Sequence, residues 1–99
     1  MSTDNREYKV FVIDDDSVGL AKSHELKLIV ENELKSGSKH IALDFSKLNS
    51  INSAGLGVLI GILNKIKSSD GSLKLMNIND RIMNIFKITK LDQIFDISN

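Results

Sequence analysis

Apolar and polar positions along the chain switch between two periods, and the switches mark out alternating strands and helices. Residues 8–13, Tyr-Lys-Val-Phe-Val-Ile, are rich in β-branched and aromatic side chains and run into Asp14, Asp15 and Asp16, which predicts a strand closing on a turn. Ser23 is placed to cap a helix over residues 24–35, with Leu26, Ile29, Val30 and Leu34 at helical spacing on its inner face. Gly37 stands where a left-handed C-terminal cap is wanted. Residues 40–45, His-Ile-Ala-Leu-Asp-Phe, predict a second strand, apolar enough on both faces to lie centrally in a sheet.

Beyond a polar turn, residues 53–67 read as a helix whose inner stripe is Leu56, Leu59, Ile60, Leu63 and Ile66. At 100° per residue that stripe leaves Gly57, Val58, Gly61, Ile62 and Lys65 on the opposite side. Val58 and Ile62 are thereby expected to be apolar residues on an exposed face. Residues 69–72 form a turn, residues 73–78 a third strand, and Asn79 or Asp80 caps a short helix carrying Ile82, Ile85 and Phe86. The tail keeps Leu91, Ile94, Phe95 and Ile97 apolar and is expected to pack back as a last helical turn or strand. With residues 1–7 a frayed end and no repeat or linker, the chain is expected to be one α/β domain over residues 1–99. Its sheet is expected to be mixed or mostly parallel, of about four strands, with helices packed against it.

Composition narrows the function. Thirteen Lys and Arg balance 13 Asp and Glu, a formal net charge of zero, which argues against a nucleic-acid binder needing a basic surplus. The absence of Cys leaves no disulfide framework and no thiolate metal site. The polar start and the short apolar run from Leu56 to Leu63, broken by Gly57 and Gly61, predict neither a secretory signal nor a membrane span, and the cytoplasm is the expected location. Neither His24 nor His40 has a second ligand at metal-binding spacing, and no phosphate loop or nucleophile–base pair stands out. No cofactor and no catalytic site are expected.

Open α/β sheets place their sites beyond the carboxyl ends of the strands, and two segments fall there. The first is Asp14, Asp15 and Asp16 with Asp44 at the end of the second strand, carboxylates of the type that hold magnesium. Residues 10–15 resemble locally the opening of a response-regulator receiver domain, which would make Asp44 a phosphate acceptor. The Pro expected after that Asp is missing, and the plainer reading is a solvated turn with Asp44 capping nearby backbone.

The second segment runs from an apolar strand ending in Asp44, through a short loop, to Asn52-Ser53-Ala54-Gly55-Leu56-Gly57. This order resembles STAS domains, specifically the bacterial anti-sigma-factor antagonists. The strand Gly71-x-Leu73-x-Leu75, the helix motif Ile82-x-x-Ile85-Phe86 and the tail over residues 88–95 are similar to the family's later elements. The resemblance implies that Ser53 is the residue phosphorylated by a partner serine kinase. It also implies that the unmodified form binds an anti-sigma factor or switch-protein kinase, and that phosphorylation ends the binding, with a phosphatase as a further partner. Residues Asn52, Ser53, Ala54, Gly55, Gly57, Val58 and Ile62 are then the expected partner-binding set.

Physical chemistry supports the acceptor: a helix start favours an anion, and a phosphate adds about −1.5 to −2 charge. Ser53 also reads as a plain helix cap, a role compatible with modification. Ser46 and Ser50 are weaker acceptor candidates. Three positions depart from the pattern. Asn52 replaces the usual Asp before the phosphorylated Ser, Lys90 stands where Gly usually follows Thr89, and only one strand is visible before the first helix. Asn52 keeps alive a second reading, a STAS-like structural subunit of a larger complex that is never phosphorylated.

Overall fold

The computed structural model describes residues 8–15 and 23–98. The elements run β1 (Lys9–Asp14), α1 (Ser23–Lys35), β2 (His40–Lys47), α2 (Ser53–Ser68), β3 (Ser72–Met76), α3 (Asp80–Ile88), a 3-10 turn (Leu91–Gln93) and β4 (Asp96–Ser98). The four strands form one sheet in the order β1-β2-β3-β4, and every neighbouring pair is parallel. The expected α/β class and strand number hold, and the tail supplies both a helical turn and the fourth strand. Expectations placed on residues 1–7 and 16–20 lie outside the described residues.

Alternation along the strands divides the sheet into two unlike faces. Ile41, Leu43 and Phe45 of β2 and Leu73 and Leu75 of β3 are buried on one side. There they meet Leu26 and Val30 of α1, Leu59, Ile62, Leu63 and Ile66 of α2, and Ile82 and Phe86 of α3 in a single core. Val10 and Val12 alternate to the other side, where they are 49% and 53% exposed. Phe45 and Phe95 flank Phe86, with Phe45 edge-on to it at 6.4 Å between ring centres, so β4's approach and α3 close the same core. On α1, Ile29 is 43% exposed rather than inward, because two buried positions one turn apart, Leu26 and Val30, satisfy so short a contact.

Loop geometry at the strand starts follows from three left-handed residues after helices. Gly37 (φ 102°) ends α1 in a Schellman arrangement, with Ser38 N–H donating to Glu33 O and Gly37 N–H to Leu34 O. Asp70 (φ 60°) does the same for α2, where Gly71 N–H reaches Ile66 O. Lys90 (φ 62°) ends α3 in the left-handed conformation that glycine enters freely, so the lysine standing where Gly usually follows Thr89 does not remove the left-handed turn. A carbon added to Gly71 would overlap the Lys39 carbonyl oxygen, which explains a glycine there although its own φ is ordinary.

Candidate functional site

The carboxyl ends of β1, β2 and β3 meet around the segment that leads from β2 into α2. Asn52, in extended backbone (φ −111°, ψ −177°), caps α2: its side-chain oxygen accepts the Gly55 N–H at 2.9 Å. The capping role therefore belongs to Asn52, and Ser53 is the first residue inside the helix. Ser53 is exposed, and its hydroxyl forms no hydrogen bond with the described residues. Ala54 and Gly57 are exposed beside it, while Gly55 is buried. Among the described residues, no atom outside the helix's own nearby backbone lies within 4 Å of the position a Gly57 side chain would occupy, so none of them requires glycine there.

The helix is turned relative to the expected orientation. Ile62 is 1% exposed and belongs to the core with Leu59, Leu63 and Ile66, whereas Ile60, placed inward from the sequence, is 37% exposed. The inner stripe is shifted by about 50°, half of one residue's rotation. Residues 56–63 are apolar on every side apart from Gly57 and Gly61, so the pattern does not define a unique inward direction. Val58 is half-buried and rests on the core edge. Ile62 is thus corrected from a surface contact to a core residue, and of the two only Val58 retains partial exposure. Alongside, α1 packs on α2: Glu31 pairs with Lys65, and the Lys27 side chain lies over Gly61.

The loop before Asn52 is gripped from two sides. From the β1 end, the Asp15 carboxylate accepts the Asn49 N–H at 3.0 Å, the Asn49 side-chain amide at 3.2 Å and the Ser50 N–H at 3.5 Å. These donors hold the Asp15 carboxyl below its ordinary pKa, the Asn49 backbone bond contributing most. From the β3 end, Asn79 caps α3 by accepting Ile82 N–H at 2.8 Å, while its amide donates to Leu48 O at 3.2 Å and Asn49 O at 3.3 Å. Asp44 accepts the Ser46 N–H at 2.8 Å and the Asn77 amide at 3.1 Å, which lowers its pKa in turn. Asn77 takes a left-handed backbone (φ 58°).

This network places Asp44 as a backbone cap, as the plainer reading held. No group of three His, Cys, Asp or Glu residues suited to a metal is found among the described residues. The sequence marked Asn79 only as a helix cap, and Asp15 as part of a turn or of a carboxylate cluster suited to magnesium. Their second roles join positions 30 to 35 residues apart, a pairing that local patterns do not carry. Among the described residues no helix is long and apolar enough to cross a membrane.

Comparison with known proteins agrees with this geometry. The STAS domain family model matches residues 9–99. The Bacillus subtilis anti-sigma-B factor antagonist is 46% identical over 48 residues, 48% of this chain and 44% of that relative, so the match spans less than half of its length. A solved Thermotoga maritima protein, described as a candidate anti-sigma factor antagonist, superimposes with a TM-score of 0.73 at 30% identity, covering 94% of this chain and 85% of that one. The anti-sigma factor antagonist SpoIIAA in its unphosphorylated form shares the fold, with a TM-score of 0.66 at 17% identity over 95% of this chain and 81% of its own. A family match over almost the whole chain, together with a solved relative at 30% identity that superimposes over 94% of it, makes this chain a STAS-domain protein of the anti-sigma factor antagonist family.

Proposed function

We propose that this chain is a phosphorylation-controlled binding module and not an enzyme. In this reading Ser53 is the acceptor, the unmodified face over residues 52–58 docks an anti-sigma factor or serine-kinase switch protein, and a phosphate at Ser53 ends the contact. The observation that carries it is the division of labour at the start of α2. Asn52 supplies the cap, which leaves the Ser53 hydroxyl exposed at the positive end of a 16-residue helix. A phosphate there would meet favourable backbone dipoles instead of breaking the fold, while its charge would repel or misfit a partner packed over that end. Exposed Ala54 and Gly57 let another backbone approach closely. SpoIIAA, a neighbour in fold, exists in a phosphorylated form, which lends the reading support from the family.

Incubation with ATP and a serine kinase of the anti-sigma type, read by intact mass, tests the acceptor. The expected result is a gain of one phosphate in the wild type and none in Ser53→Ala. A gain that survives Ser53→Ala overturns the assignment. The second reading, a structural STAS-like subunit that stays unmodified, is favoured by the uncharged Asn52 in the capping position. It predicts no gain in wild type and stable co-purification with a larger complex. A phosphatase that restores binding belongs to the first reading alone.

A further inference from the structure

We infer that Asp15 is a positioning residue for the Ser53 switch, holding the segment over residues 49–50 in place for docking and phosphorylation, with Asn79 as the opposing half of the same clamp. The inference rests on Ser53 being the acceptor.

The argument begins with the loop's own needs. Between Leu48, whose N–H bonds back to Phe45 O, and Asn52, which opens the cap of α2, the chain belongs to no helix or strand. Exposed backbone of this kind is held only as firmly as the groups that bond it. Leu48 and Ile51 anchor it below through burial, at 2% and 9% exposure. Asn49 and Ser50 between them are exposed, and their fixing comes from side chains elsewhere in the chain. Asp15 takes the two N–H groups and the Asn49 amide, all with one carboxylate, while Asn79 supplies a donor to the Leu48 and Asn49 carbonyls.

Donors and acceptors of the loop are thus divided between two strand ends. The N–H side is held from the end of β1 and the carbonyl side from the start of α3. Bonds to an ionised carboxylate are the stronger of the two sets. Because Ser50 lies three residues before Ser53, the hold on Asn49 and Ser50 sets how the acceptor's approach is presented. A kinase that reads this segment needs it in one conformation. When the segment is loose, binding energy is diverted into ordering it. Asn79 ties the same loop to the first turn of α3, since the oxygen of the same side chain caps that helix.

The test uses the full chain and four variants. Asp15→Ala removes all three accepted bonds. Asp15→Asn keeps an oxygen for the backbone donors but loses the charge. Asn79→Ser keeps a capping oxygen for α3 while removing the amide that reaches the loop, and Ser53→Ala serves as the unlabelled control. Amide hydrogen exchange by NMR reads the clamp without any partner. Exchange at Asn49 and Ser50 is expected to rise about tenfold in Asp15→Ala and less in Asp15→Asn, with exchange in β2 and β3 unchanged. Ser53 labelling from radioactive ATP by a serine kinase of the anti-sigma type reads the positioning. Its kcat/KM is expected to fall about tenfold in Asp15→Ala, mainly through KM, with partial recovery in Asp15→Asn. Unchanged exchange at Asn49 and Ser50 overturns the clamp, and faster exchange with unchanged labelling overturns the positioning role. A wild type that takes no phosphate overturns the switch and Asp15's part in it, and the exchange data keep that failure distinct from a failure of the clamp.

Discussion

The side-chain oxygen of Asn52 accepts the N–H of Gly55 at 2.9 Å, and that bond separates capping from modification in the adjoining pair Asn52 and Ser53. Removing the cap by Asn52→Ala is expected to destabilise the domain by about 1 kcal/mol. Ser53→Ala, which touches an exposed hydroxyl, is expected to change stability by less than about 0.5 kcal/mol. Urea unfolding of both variants checks the contrast. Equal losses would place part of the capping on Ser53.

Gly57 offers the opposite sign. Among the described residues none outside α2 crowds its missing side chain in the second turn of that helix, so Gly57→Ala is expected to stabilise the domain by roughly 0.5–1 kcal/mol through helix propensity. The same methyl group is expected to weaken docking of the unphosphorylated partner, because it occupies the room for close backbone approach. Thermal melting and partner titration together decide the matter. A more stable variant with undiminished affinity would take Gly57 out of the docking face.

Ile60 and Ile62 share a side chain and a helix but not an environment. Ile62→Ala empties a fully enclosed position and is expected to cost about 2–4 kcal/mol, whereas Ile60→Ala, at 37% exposure, is expected to cost about 1 kcal/mol or less. Chemical denaturation of the two variants measures the difference. A reversed order would restore the orientation expected from the sequence stripe. Val58→Asp is the docking probe on this helix. Its partial contact with the core carries some loss of stability, so folding must be verified by circular dichroism before an affinity is compared.

Two turns that follow helices favour glycine for different reasons, backbone conformation at position 90 and lack of room at position 71. Lys90, at φ 62°, holds a side chain in a region that glycine enters freely, and Lys90→Gly is expected to stabilise the domain by about 1 kcal/mol. Gly71→Ala forces a carbon onto the Lys39 carbonyl and the Ile66 side chain and is expected to cost about 3 kcal/mol. Differential scanning calorimetry of the pair is sufficient. A destabilised Lys90→Gly would mean that the lysine side chain contributes more than its backbone strain.

Acid tests the loop clamp. Asp15 and Asp44 both have carboxyl pKa values lowered in the fold by the N–H and amide donors around them. A lowered folded pKa means that the unfolded chain binds protons first. The contribution to stability is therefore fully present above about pH 5 and is lost as pH falls through the folded values. Melting temperature measured between about pH 6 and pH 2 is expected to fall less steeply in Asp15→Asn than in wild type. Identical slopes would mean that the three bonds to Asp15 are made equally well by the neutral carboxyl.

Where local chemistry was decisive, the residues themselves were enough. Val10, Phe11, Val12 and Ile13 could pack as a strand and little else. Gly37 announced a left-handed turn, and the consecutive small residues of the Asn52–Gly57 motif marked the helix start that became the site. Asn79 was recognisable as a cap because its oxygen serves a donor three residues away. Family membership was legible for the same reason, being carried by short contiguous motifs.

Other features needed the folded chain. The inward face of α2 was decided by packing, since a helix apolar on nearly every side has no preferred rotation until the sheet and α1 confine it. The parallel order β1-β2-β3-β4 brought the ends of β1 and β3 to either side of one loop, and only then did Asp15 and Asn79 acquire partners 30 to 35 residues distant. The sequence by itself determined the elements and the motif, because propensity, capping and turn chemistry act over a few residues. The tertiary structure alone decided which side chains hold the loop before Ser53 and which face of α2 meets solvent, because hydrogen bonds and burial depend on distance in space and not along the chain.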